Sequence, residues 1–205
     1  MTKSNAVPEE RLAYYHEVRP QIRDGDLFLF RGRFLVSKLF EKLTHSYYSH
    51  AAIVAWWDGR LMILQAEGVG IQAIPLSVAV AEYPGRADWY RLRRDSFPDP
   101  DRSLKTVLAE AKADLGLSYG YADLARALWG YLKKLKLRDP VSPKGLYCSE
   151  YVEKCFDSGG MSLTGRPDIT TFPQHIAESP RVEYVCSIRH DPSKPDPRRD
   201  DDVPG

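Results

Sequence analysis

The feature that most constrains the fold is a pair of apolar runs around Asp58-Gly59, within the stretch from Ser49 to Gly68. Both runs are rich in β-branched and aromatic residues, which favour strands. An Asp-Gly pair tolerates the positive φ angles of a two-residue turn. The stretch therefore predicts a β-hairpin, around which the rest of the chain is arranged.

The register of this hairpin brings two polar side chains together. With a two-residue loop, Trp57 lies opposite Arg60. Stepping back along both strands then places His50 opposite Glu67, with Cβ atoms roughly 4.5 to 5.5 Å apart. A carboxylate beside a ring N–H fixes the tautomer of a histidine and raises its pKa, which suits a catalytic base. Taken alone, such a pair is more often a polar latch than a catalytic pair, and a nucleophile elsewhere in the chain reverses that balance.

Composition and charge exclude several classes of protein. The 205 residues are 43% hydrophobic and 28% charged, which is typical of one soluble globular domain. The formal net charge of +1 supplies no field for nucleic acid, so we expect no nucleic-acid partner. The first ten residues lack the apolar core of a signal peptide, and no stretch is long enough to span a bilayer, which predicts a cytoplasmic protein.

The cysteine and histidine patterns predict no metal or disulfide. There are three cysteines, and no Cys-x-x-Cys pair occurs among them. An odd number in a chain of this size indicates free thiols in a reducing compartment. Because no His-Glu-x-x-His motif occurs either, we expect neither a metal ion nor another cofactor.

The chain divides into three parts by composition. Residues 1–20 form a polar leader with a short helix over 11–19, residues 21–188 form the folded domain, and residues 189–205 form a disordered tail rich in Pro, Asp and Arg. Besides the hairpin, strands are predicted at Leu27–Phe30, Ile71–Ile74, Asp88–Arg93 and Val182–Ile188, and helices at 34–43, 104–115, 121–135 and from Cys148 to Gly159. This order predicts an α+β fold in which a mostly antiparallel sheet packs against helices.

The predicted helix over 121–135 has two interpretations. Its apolar stripe contains Trp129, and basic residues surround that stripe. Helices of this kind lie on membrane surfaces in some proteins, so peripheral membrane contact is one expectation. Packing of the stripe against the sheet is the other, and it is the commoner role of an amphipathic helix in a soluble domain.

Cys148 is the candidate nucleophile. It is predicted at the beginning of a helix, where unpaired N–H groups and the helix dipole lower the pKa of a thiol. Cys155 lies in the middle of that helix and Cys186 lies within a strand, so both are expected to be inert packing thiols. A fold that brings His50 beside Cys148 would complete a catalytic pair.

Four segments together resemble the circularly permuted papain-fold cysteine hydrolases, the YiiX-like branch of the NlpC-type superfamily in which histidine precedes cysteine. The segments are Gly25–Phe30, Tyr48–Val54, Gln65–Gly70 and Leu146–Val152, and they follow one another in the order of that family. The resemblance extends from about Asp24 to Ser187. It implies a papain-like fold with the nucleophile at a helix N-terminus.

The resemblance also implies roles for individual residues. Cys148 would be the nucleophile, His50 its base, and Glu67 the third polar residue that orients the imidazole. Tyr119 would support the oxyanion, although aromatic packing explains this residue equally well.

The sequence therefore predicts a cysteine hydrolase that cleaves an amide bond through a thioacyl intermediate. The expected substrate is a small peptide or a peptidoglycan fragment. A lipid-like acyl substrate processed by the same three residues is the first alternative. A non-catalytic binding module of the same fold is the second, and an interaction protein that docks through its tail is the third.

Overall fold

The computed structural model describes residues 11–32, 47–67, 70–117, 144–166 and 171–194. The predicted helices over 34–43 and 121–135, Tyr119 and most of the predicted tail lie outside these residues. Within them, the strands are β1 (Leu12–Tyr14), β2 (Leu27–Arg31), β3 (His50–Trp57), β4 (Arg60–Glu67), β5 (Gly70–Pro75), β6 (Arg86–Leu92) and β7 (Val182–Arg189). The helices are α1 (Tyr15–Val18), α2 (Leu76–Glu82), α3 (Pro100–Ala113), α4 (Lys144–Ser158) and α5 (Pro173–Ala177), with 3-10 turns at Arg19–Gln21 and Arg94–Ser96.

The described strands form one sheet in the order β1-β7-β6-β2-β3-β4-β5. Neighbouring strands are antiparallel, except that β1 runs parallel to β7. The predicted α+β fold with a mostly antiparallel sheet is therefore confirmed. None of the helices in the described ranges is long and apolar enough to cross a membrane.

The hairpin has the predicted register. Asp58 and Gly59 adopt φ angles of 49° and 75°, as a type I′ turn requires. Trp57 pairs with Arg60, and the same register continues to the pair Ile53 and Leu64. The turn residues alone thus predicted which side chains share each face of β3 and β4.

Helices cover both faces of the sheet, which explains the unbroken apolar runs in its central strands. One core contains Leu27, Leu29, Ala51, Ile53, Leu64 and the apolar faces of α3 and α4. The other contains Phe28, Phe30, Val54, Ile63 and the apolar face of α2. Strands buried on both faces have no polar side to alternate with the apolar one.

Several boundaries differ from the predicted ones. The leader forms a short strand before α1, because its backbone pairs with β7 and Ser187 N–H donates to the Arg11 carbonyl at 2.8 Å. Helix α2 was not predicted at all. Helix α3 begins at Pro100 and is capped by the Asp99 side chain, which accepts from Arg102 N–H at 3.2 Å. A proline at the first helical position was the available signal for this start.

Candidate active site

Strand β3 begins at His50, and contacts with the adjacent strand β2 fix this beginning. Ser49 N–H donates to the Phe30 carbonyl at 2.9 Å. His50 pairs with Phe30 in the register of β2 and β3, and the two rings lie 5.5 Å apart. The imidazole is therefore held on one side by an aromatic ring from the adjacent strand.

A buried polar cluster holds the residues that precede His50. The Tyr48 hydroxyl donates to Asp88 Oδ2 at 2.9 Å and lies 2.8 Å from the Tyr90 hydroxyl. Burial and the Asp88 charge raise the pKa of Tyr48, so the phenol stays protonated and can donate. The cluster thus anchors the chain two residues before the candidate base.

One hydrogen bond of the imidazole joins it to Gln65, a residue that sequence reasoning missed. His50 Nε2 lies 2.7 Å from Gln65 Oε1. Extending the register of β3 and β4 beyond its last pair, Ile53 and Leu64, would set Glu67 opposite His50 and Gln65 on the diagonal. Diagonal neighbours are farther apart at Cβ, but a glutamine side chain is long enough to reach. Residues two apart in a strand share one face, so Gln65 was a second candidate partner that the sequence already offered beside Glu67.

Glu67 is connected to His50 through Gln65. Its Oε2 accepts from Gln65 Nε2 at 3.3 Å and from Gln72 Nε2 at 2.9 Å. Gln72 lies opposite Gln65 in the register of β4 and β5. The three polar side chains therefore form a row that ends at the imidazole.

Cys148 lies on α4, on the side that packs against β3 and β4. Its side chain is completely buried, and the Ala51 N–H is directed at its sulfur. Ala51 directly follows His50 in β3. The candidate nucleophile thus lies at the same end of β3 as the candidate base.

The start of α4 differs from the predicted one. The helix begins at Lys144, so Cys148 is its fifth residue and lies in the second turn. An α-helix leaves only its first four N–H groups without an acceptor in the helix. Cys148 N–H therefore falls just outside this set. The helix start lowers the pKa of the Cys148 thiol less than the sequence predicted.

Burial raises the pKa of Cys148 to about 12. The backbone N–H groups of Ala51, Ser149 and Cys148 act in the opposite direction, while the charge of Glu67 raises the value further. The expectation of a lowered thiol pKa is therefore wrong for this structure, because desolvation outweighs the amide dipoles. Burial thus favours the neutral thiol of Cys148 over the thiolate.

The other two cysteines lie in the two cores. Cys155 is completely buried on α4, and burial raises its pKa to about 12 as well. Cys186 is buried on β7, on the opposite face of the sheet. All three are free thiols.

Two other features of the described residues stand apart from this site. A surface cavity of about 750 Å³ lies near the hairpin turn, lined by residues that include Trp57, Met62, Ala73 and Leu115 but neither His50 nor Cys148. No group of three or more His, Cys, Asp or Glu side chains in the described ranges is arranged to hold a metal ion.

The fold and the match to a family model together define the class as permuted papain-like. The model is that of the permuted papain-like amidase enzymes, the YaeF/YiiX or C92 family, and it matches residues 21–186. The chain therefore belongs to this family of hydrolases. A crystal structure described as the metalloprotein yiiX from Escherichia coli O157:H7 has the same fold, with a TM-score of 0.56 and 19% identity over 81% of this chain and 97% of that one. No curated protein matches the chain.

Proposed function

We propose that this protein is a cysteine amidase in which Cys148 is the nucleophile and His50 the base. The observation that carries the proposal is the pair of contacts at the beginning of β3. There the Ala51 N–H faces the Cys148 sulfur, while the preceding residue, His50, has its Nε2 bonded to Gln65. In a chain that belongs to an amidase family, these contacts favour nucleophilic catalysis over a packing role.

The reaction begins with a proton transfer, because the resting thiol is neutral. Since Nε2 of His50 is bonded to Gln65, Nδ1 is the nitrogen that accepts the proton of the Cys148 thiol. The sulfur then forms a bond to the carbonyl carbon of the amide. Negative charge develops on sulfur as the proton leaves, and the Ala51 N–H stabilises it.

The remaining steps return the enzyme to its starting state. The tetrahedral intermediate breaks its C–N bond, and the imidazolium gives its proton to the departing amine. The resulting thioester is attacked by water, which loses a proton to His50, and the carboxylic acid leaves as the thiol is restored. Tyr119 keeps its proposed role as a donor to the oxyanion.

The proposed substrate is an amide of a short peptide or of a peptidoglycan fragment. We expect the wild-type protein to release new amino groups from such substrates, measured with an amine-reactive dye, and Cys148→Ser to release none. Cys155→Ser, which changes an equally buried thiol of the same helix, should keep the activity. Vesicles of phosphatidylcholine are tested in parallel for release of fatty acid.

Each result of this comparison separates the proposal from its rivals. Amine release that depends on Cys148 supports the amidase. Fatty acid release without amine release would replace it with a lipid acyl hydrolase that uses the same residues. No release from either substrate class would favour a binding module of this fold.

A further inference from the structure

We propose that Glu67 is a positioning residue that acts on His50 through the side-chain amide of Gln65. This inference rests on the proposed function, since it states which ring nitrogen of the proposed base, His50, carries the proton. The sequence predicted a direct contact between Glu67 and the imidazole, whereas in the structure Glu67 bonds to Gln65 and Gln72. Its effect is transmitted by the orientation of one amide group.

The orientation of the Gln65 amide follows from the chemistry of its two neighbours. An ionised carboxylate has no proton to donate and can only accept. Glu67 Oε2 lies 3.3 Å from Gln65 Nε2, so the NH₂ end of the amide must face Glu67. The carbonyl end then faces His50, where Oε1 lies 2.7 Å from Nε2. A reversed amide would set its oxygen against the carboxylate.

This orientation dictates the tautomer of His50. The Gln65 oxygen is an acceptor, so the imidazole nitrogen that meets it must carry a proton. The neutral ring is therefore protonated at Nε2, and Nδ1 has the lone pair that the proposed proton transfer requires. The other tautomer would have a hydrogen on Nδ1 and could not accept the thiol proton.

Gln72 keeps the carboxylate in position. Its Nε2 donates to the same oxygen of Glu67 at 2.9 Å, and its strand, β5, pairs with the strand that carries Gln65 and Glu67. Glu67 is exposed at the strand end, so this second donor restricts a side chain that solvent would otherwise leave mobile. Gln72 is therefore part of the same row of side chains as Glu67 and Gln65.

Electrostatics alone would give Glu67 the opposite effect on the reaction. Its charge raises the pKa of the Cys148 thiol, which disfavours the thiolate. If the charge were the whole role, removing it would make Cys148 more reactive. If Glu67 instead sets the tautomer, removing it makes Cys148 less reactive, so the sign of the effect distinguishes the two roles.

The test is the tautomer of His50, read by long-range ¹H–¹⁵N NMR of the full-length protein at about pH 8.5, well above the ordinary histidine pKa of about 6.5. The wild type should show His50 protonated at Nε2 alone. In Glu67→Gln the new amide can face Gln65 with either end, so both tautomers should appear. Glu67→Lys offers only donors, so the tautomer protonated at Nδ1 should increase further. Glu183→Gln, which changes an exposed carboxylate of β7 outside this row of side chains, should keep the wild-type spectrum.

Alkylation of Cys148 by iodoacetamide provides the second readout. We expect the rate to fall at least about twofold in Glu67→Gln, because only part of the molecules then have His50 protonated at Nε2. In Glu67→Lys the rate should fall further. An unchanged tautomer in both variants, or faster alkylation in either, would overturn the inference. The NMR result does not depend on turnover, so an inactive protein with the predicted tautomers would contradict only the proposed function.

Discussion

Replacing Cys148 by alanine is expected to abolish amide hydrolysis, with a loss on the order of 10³-fold or more in kcat. In the proposed mechanism this thiol supplies the nucleophile of the thioacyl intermediate, and neither of the other cysteines is assigned that role. Cys155 and Cys186 are buried in the two cores. His50→Ala should lower kcat by about 10² to 10⁴-fold, because the neutral thiol then has no base to accept its proton.

The controls for this prediction come from the same helix. Cys155→Ala makes the same change at an equally buried position of α4 and should retain activity. Circular dichroism melts of Cys148→Ala and Cys148→Ser report whether the fold survives. Turnover that persists in a folded Cys148→Ala protein would contradict the assignment of the nucleophile.

Replacing Asp88 by alanine is expected to lower the free energy of unfolding by about 3 to 5 kcal/mol. Asp88 is 1% exposed and accepts a hydrogen bond from Arg31 Nη2 to Oδ1 at 3.1 Å, and its Oδ2 forms an ion pair with Arg31 Nε at 2.9 Å. It also accepts from the hydroxyl groups of Tyr48 and Ser187. The substitution would leave a largely buried cation and two buried hydroxyl groups without this acceptor.

Urea denaturation measures this loss, and Glu183→Ala is its control. Glu183 pairs with Arg93 at 3.2 Å, and both side chains are nearly half exposed, so loss of this ion pair should cost less than about 1 kcal/mol. An Asp88→Ala protein within 1 kcal/mol of the wild type would contradict the role given to the cluster. Because Tyr48 lies two residues before His50, we also expect Asp88→Ala to lower activity under conditions where the protein is still folded.

The sequence predicted those parts of the fold that depend on local rules. Asp58 and Gly59 determine their own turn, and the turn determines the register from Trp57 and Arg60 onward. The apolar period of α3 was likewise recognisable. Pairing of β1 with β7 was not, because it joins Leu12 to Ser187 across nearly the whole chain.

The site was only partly predictable for a related reason. The register predicted a direct contact of His50 with Glu67, whereas the imidazole bonds to Gln65 in the structure, because this choice depends on how far a side chain reaches along a diagonal. The thiol pKa depends on how completely the surrounding elements bury Cys148, which overrides the contribution of the helix start. Spacing in the sequence places Gln65 on the same face of β4 as Glu67, but it decides neither which of the two bonds to His50 nor the pKa of the thiol.

The most direct test of the central claim compares two cysteines within one molecule. Cys148 and Cys155 are both completely buried, and burial raises the pKa of each to about 12. Of the two, only Cys148 is faced by the N–H of Ala51, the residue that follows the proposed base in β3. Iodoacetamide labelling at about pH 7.5, followed by peptide mass spectrometry, gives both rates in the same sample. We expect Cys148 to react at least about tenfold faster than Cys155 in the wild type, and at a similar rate to Cys155 in His50→Ala. Equal rates in the wild type, or a Cys148 rate that His50→Ala leaves unchanged, would contradict a catalytic Cys148–His50 pair.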